Sequence, residues 1–149
     1  MTIDEEVELL RRIPLFGKVD PAKLKLLAFA SERAVFAAGE SLFYQGDPGD
    51  AAYIIIDGEA EVLIKGPAGP IAVATVGKND FVGEIAILCE VPRTATIRAK
   101  TALTTLRITK DLFLRMLMDF PAIGIEVMRV LAQRLEHTTD RLRDALARK

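Results

Sequence analysis

Gly83-Glu84-Ile85-Ala86-Ile87-Leu88-Cys89-Glu90-Val91-Pro92-Arg93-Thr94, followed directly by the strand-like Ala95-Thr96-Ile97-Arg98, is the most informative stretch of this 149-residue chain. A glycine and a carboxylate open a short apolar turn, and a Pro-Arg-Thr closes it. Gly83 has no side chain, so its backbone can approach a ligand closely. Ile85-Ala86-Ile87-Leu88 has the composition of one helical turn packed on a core. The first N–H groups of such a turn lack intrahelical partners and can bind an anion. Arg93 brings a planar fork of donors suited to two phosphate oxygens, and Pro92 restricts the chain just before it. Thr94 adds a hydroxyl for the phosphate or a base edge. Glu84 is out of place beside phosphate alone, but it can accept hydrogen bonds from a ribose 2′-hydroxyl. The anion then belongs to a nucleotide, with phosphate at one end and sugar at the other. If Glu84 and Arg93 both face solvent in the empty site, replacing either leaves the fold intact.

The surroundings of this stretch are strands and turns. Candidate strands are residues 34–36, 41–44, 52–57, 61–65, 71–76, 95–99 and 104–108, punctuated by glycine-centred turns. Asp57-Gly58, between Tyr53-Ile54-Ile55-Ile56 and Val62-Leu63-Ile64, carries a hairpin signal. Many short strands at regular spacing predict an antiparallel sandwich or roll. Helical texture flanks them. Residues 3–30 carry two apolar faces broken by Pro14 and Pro21, with Asp20-Pro21 as a helix start. Thr109 can cap a short helix over Lys110–Met118. Phe120-Pro121 then leads into a run free of glycine and proline from Ile125 to the end. In that run Met128, Leu131, Leu135, Thr138, Leu142 and Ala145 follow the 3-4-3-4-3 spacing of a coiled-coil seam.

Composition excludes several classes. Half the residues are apolar, enough for a core, and a single cysteine forbids an intrachain disulfide. One histidine, His137, lies outside the strand region, which argues against a cupin-like metal site. His137 is expected to contribute no chemistry. No Ser-His-Asp set, nucleophile elbow or Walker motif occurs, and the pattern is not βαβ. No signal peptide and no charge-free stretch of membrane-spanning length is present, so a cytoplasmic protein without a membrane partner is expected. The formal net charge of −1 does not suggest a dedicated nucleic-acid binder. Residues 121–149, with six Lys or Arg against four Asp or Glu, add little to that possibility.

The chain resembles the cyclic-nucleotide-binding domains over nearly its whole length. Ile13-Pro14-Leu15-Phe16 is similar to the family's opening helical motif. Gly39-Glu40, Gln45-Gly46-Asp47-Pro48-Gly49-Asp50 and Tyr53-Ile54-Ile55 with Asp57-Gly58-Glu59-Ala60-Glu61-Val62 resemble the first turns and first hairpin of its roll. Gly77-Lys78-Asn79-Asp80-Phe81-Val82 leads into the cassette, with Val82 where the family often has phenylalanine. The resemblance implies a mainly β fold: an eight-stranded antiparallel, jelly-roll-like β-roll (32–108) with N-terminal helices (1–31) and C-terminal helices ending in a long one (109–149), all one domain spanning 1–149. It implies that Glu84 holds the ribose, that Gly83, Ile85 and Ala86 hold sugar and cyclic phosphate by their backbone, and that Arg93 pairs with the phosphate beside Thr94.

Ala132-Gln133-Arg134-Leu135-Glu136-His137-Thr138-Thr139-Asp140 resembles the dimer helix of the bacterial catabolite activators. There, residues matching Thr138 and Thr139 reach the adenine amino group and the nucleotide of the partner subunit. The expectation is a non-catalytic sensor of 3′,5′-cyclic AMP, with cyclic GMP less favoured and no catalytic cofactor. It forms a homodimer through the last helix, which passes the signal to an unidentified effector. The activators continue into a DNA-reading domain for which this chain has no room, so no direct DNA binding is expected of it. The alternatives are a dimerisation module with a degenerate site, and the sensor fragment of a larger transcription regulator or channel.

Overall fold

The computed structural model describes residues 2–148. Helix α1 (Ile3–Arg11) starts where the Thr2 hydroxyl accepts the Glu5 N–H, and a 3-10 turn follows at Pro14–Phe16. Helix α2 (Pro21–Ala30) has the expected Asp20 cap, whose carboxylate accepts the Ala22 N–H. Strands β1 (Glu32–Phe36), β2 (Ser41–Phe43), β3 (Ala51–Asp57), β4 (Ala60–Gly66), β5 (Gly69–Val76) and β6 (Phe81–Val82) precede a short helix α3 (Glu84–Leu88). Strands β7 (Thr96–Ala99) and β8 (Leu103–Thr109), then helices α4 (Lys110–Asp119) and α5 (Pro121–Ala147), complete the order. Thr109 caps α4 by accepting the Leu112 N–H, as its position predicts.

The eight strands form two four-stranded antiparallel sheets, ordered β1-β8-β3-β6 and β2-β7-β4-β5. This agrees with the expected roll flanked by helices. Strand β3 explains how the layers hold together. Alternate side chains of a strand point to opposite faces, and β3 is covered on both. Ala51, Tyr53 and Ile55 face a core shared with Ala60, Ile97 and Ala99 of the second sheet. Ala52 and Ile54 face the helical core of Leu10, Phe16, Leu24, Phe113 and Ile123. A strand buried on both faces reads as an unbroken apolar run, which is what Ala51–Ile56 shows.

Two expectations need correction. Asp57-Gly58 does not close a hairpin: β3 pairs with β6 and β8, whereas β4 pairs with β5 and β7. The turn is a corner between sheets. Gly58 has φ +94°, and a Cβ there would stand 2.2 Å from the Ala102 carbonyl, so only glycine lets the chain cross at this point. The hairpin is instead β4–β5, closed where Gly66 faces Gly69. Strand β6 is also absent from the sequence reading, because two residues are too few to show alternation. Helix α5 begins at Pro121, one turn earlier than its glycine-free run.

Candidate functional site

Strand β6 delivers Gly83 to the start of α3 with φ +87°. A Cβ at Gly83 would lie 2.7 Å from Nη1 of Arg93 and 3.1 Å from the Ala51 carbonyl, so conformation and space both demand glycine. Arg93 is held at both ends. Its N–H donates to the Asp47 carbonyl at 2.8 Å, and its carbonyl accepts from Gly46 N–H at 2.9 Å. Its guanidinium stacks 3.9 Å from the centre of the Phe43 ring. Nη1 donates to the Gly83 carbonyl at 2.8 Å, and Nη2 donates to the Ala51 carbonyl at 2.7 Å and lies 3.5 Å from Asp50. The buried Nε has no partner. Burial pulls this guanidinium below its ordinary pKa, and Asp50, Tyr53, Asp47 and Glu84 partly oppose the shift.

Glu84 is 2% exposed. Nη1 of Arg134, from α5, donates to its Oε1 at 2.9 Å, and Nη2 donates to the Phe81 carbonyl at 2.7 Å. The Arg134 guanidinium also lies over the Phe81 ring. Burial raises the Glu84 carboxyl above its ordinary value. Arg134, the residue's own N–H and Arg93 act in the opposite direction without cancelling the effect.

Arg93 and Glu84 therefore do not face solvent, and they are not a surface ion pair. Each is buried in the wall of a cavity of about 940 Å³ and bonded to a different partner. The fold closes over them because α5 lies across the cavity and covers Glu84.

Gly83, Glu84, Ile85, Ala86, Arg93, Thr94 and Thr138 all line this one cavity. The Thr138 hydroxyl donates to the Arg134 carbonyl at 2.9 Å. Thr139 does not line the cavity and is exposed. His137 lines it as well. The predicted seam also divides. Leu131 packs on the helical core, Thr138 faces the cavity, Leu142 borders the cavity while remaining largely exposed, and Met128 and Leu135 are exposed.

Sequence reasoning missed Arg134, Arg141, Phe43 and Asp80 as lining residues. A signal for the arginines was available. Arg134, Thr138 and Arg141 are spaced i, i+4, i+7, which places them on one helical face. No group of His, Cys, Asp or Glu side chains suited to a metal ion occurs among the described residues.

The profile described as "Cyclic nucleotide-binding domain" matches residues 33–120, from β1 to the end of α4. The chain belongs to this family.

The domain is 31% identical over 140 residues to the CRP-like cAMP-activated global transcriptional regulator of Mycobacterium tuberculosis strain H37Rv, covering 93% of this chain and 62% of that protein. It therefore spans less than two thirds of that relative. Among solved structures, the N-terminal domain of a transcriptional regulator from Streptomyces coelicolor A3(2) is 32% identical with a TM-score of 0.66, covering 89% of this chain and 95% of that one. The catabolite activator protein of Thermus thermophilus is 27% identical with a TM-score of 0.78, covering 90% and 63%. Members of this family are regulatory sensor modules, and the fold is not that of an enzyme. No helix among the described residues is long and apolar enough to cross a membrane.

Proposed function

We propose that this cyclic nucleotide-binding domain is a non-catalytic sensor of 3′,5′-cyclic AMP that signals through α5. The observation that carries the reading is the buried Arg93 in the cavity wall, whose Nε–H has no protein partner. A buried donor without a partner is unfavourable, and a ligand phosphate oxygen relieves it. The α3 N–H groups at Ile85 and Ala86, which lack intrahelical acceptors, add donors to the same anion. Glu84 accepts the ribose hydroxyl, because a carboxylate can accept several hydrogen bonds and Arg134 uses only part of that capacity. Thr94 stands beside the phosphate.

Adenine is favoured by Thr138. Its hydroxyl proton is committed to the Arg134 carbonyl, so it presents acceptor lone pairs to the cavity, matching an amino group on the base. Cyclic GMP remains the weaker ligand, with Thr94 as its only specific support. Titration calorimetry with cyclic AMP, cyclic GMP and 5′-AMP tests the reading. Cyclic AMP should bind the most tightly, and equal weak binding of all three sinks it.

The exposed stripe of Met128, Leu135, Leu142 and Leu146, together with Ile125, supports a parallel homodimer along α5. Thr139 is exposed and does not line its own cavity, which supports a contact with a partner's nucleotide. Arg134 and Thr138 place α5 in contact with the site, so nucleotide favours one position of the helix. The whole of 1–149 acts as one sensing unit. The effector is a separate protein or attached domain that this chain does not identify, and the chain itself does not contact DNA.

A further inference from the structure

We propose that Arg141 sets the width of the cavity mouth and so selects among cyclic nucleotides by the substituents on the base; this rests on the reading of the cavity given above. Arg134 and Arg141 lie seven residues apart on one face of α5, about 10 Å along the axis. Arg134 fastens the helix to the first sheet through the Phe81 carbonyl on β6. Arg141 fastens it to the second, where Nη1 donates to the Val73 carbonyl at 2.6 Å. Both arginines line the cavity.

Val73 is a singular position. Val62 pairs with Ala74 and Leu63 with Ala72, so Val73 is the extra residue of a β-bulge. Strand β5 is also the outer strand of its sheet. The bulge releases the Val73 carbonyl from the ladder, and the edge leaves it without a neighbouring strand. At this exposed carbonyl Arg141 takes the place of water across 68 positions of sequence. A bulge beside a cavity, with a guanidinium bonded to the carbonyl it frees, is a built contact that joins helix to hairpin over the opening.

Thr138, which meets the base amino group in this reading, precedes Arg141 by one helical turn. A group extending from that amine runs toward the Arg141–Val73 contact. Unsubstituted adenine stops short of it, and a bulky N6 substituent must break it. Arg141 thus acts as a specificity-determining residue without binding phosphate or sugar.

The test compares cyclic AMP with cyclic AMP carrying a benzyl group on N6, by titration calorimetry, for the wild type, Arg141→Ala and Arg141→Gln. Melting temperatures of the free proteins show whether each variant is folded. The wild type should prefer cyclic AMP. Arg141→Ala should narrow that preference by about tenfold while changing the cyclic AMP affinity by less than about threefold. Arg141→Gln, which retains a donor of shorter reach, should fall between them. An unchanged preference in a folded Arg141→Ala overturns the proposal. So does an equal loss of both ligands, which would place Arg141 on a part of the nucleotide they share. A wild type that binds neither ligand overturns the cyclic AMP reading itself, and with it this proposal.

Discussion

Replacing Arg93 with alanine should weaken the fold as well as the binding of nucleotide. The guanidinium satisfies the Gly83 and Ala51 carbonyls and stacks on Phe43. Losing a charge-assisted hydrogen bond at a fully dry carbonyl costs up to about 3 kcal/mol. The open cavity admits water in place of the side chain, so about 1 kcal/mol per carbonyl is the appropriate magnitude. The stacked cation adds about 1 kcal/mol. Asp50 is 73% exposed, and its ion pair contributes little. Relief of the buried unpartnered Nε offsets part of the loss. The net is about 2–3 kcal/mol, or roughly 5–10 °C in melting temperature for a chain of this size. Thermal unfolding followed by circular dichroism, without nucleotide, reads it. Cyclic AMP at about one hundred times the wild-type Kd should then stabilise the wild type by about 2.7 kcal/mol and the variant by clearly less, because the variant's Kd is higher. A ligand-free Arg93→Ala melting within about 1 °C of wild type refutes the structural role. Equal stabilisation of both proteins by nucleotide shows that the phosphate does not lie on Arg93.

Glu84 carries a pH dependence. Burial raises its native pKa above the unfolded value, so the folded protein binds the extra proton. Its contribution is fully present below the ordinary carboxylate range and is lost as pH rises through the raised native value. Glu84→Gln should flatten that part of the stability–pH profile in urea titrations, and an unchanged slope counts against the buried carboxyl. For the dimer, sedimentation equilibrium should show the wild type associating and Leu135→Glu shifted to monomer; a wild type that stays monomeric at high concentration excludes the α5 interface. Hydrogen exchange should show that cyclic AMP protects α5 around Arg134 and Thr138 as well as residues 83–94. Protection confined to the cassette would describe a binder that does not switch.

Much of the architecture was legible because it depends on local chemistry. Asp20 and Thr109 announce helix starts, since a capping side chain satisfies N–H groups only two or three residues away. Gly83 and Arg93 lie ten residues apart at the two ends of one cassette, and residue type and spacing reveal their association. Asp57-Gly58 does signal a turn, but the turn is a corner between sheets and not a hairpin. Local conformation reports that the chain reverses, but not which sheet the next strand joins.

Residue type and spacing alone carried the five α-helices, seven of the eight strands, the cassette and the family pattern. Tertiary structure decided the state of the site: that α5 lies over the cavity, that Arg134 occupies Glu84 across 50 positions, and that Arg141 reaches the carbonyl freed at Val73 across 68. Tertiary structure also split the apparent seam, turning Leu131 to the core and Thr138 to the cavity. Periodicity reports that residues share a helical face, because helix geometry fixes it. What that face meets depends on packing between distant segments, where burial changes both the partners and the charge preference of each group.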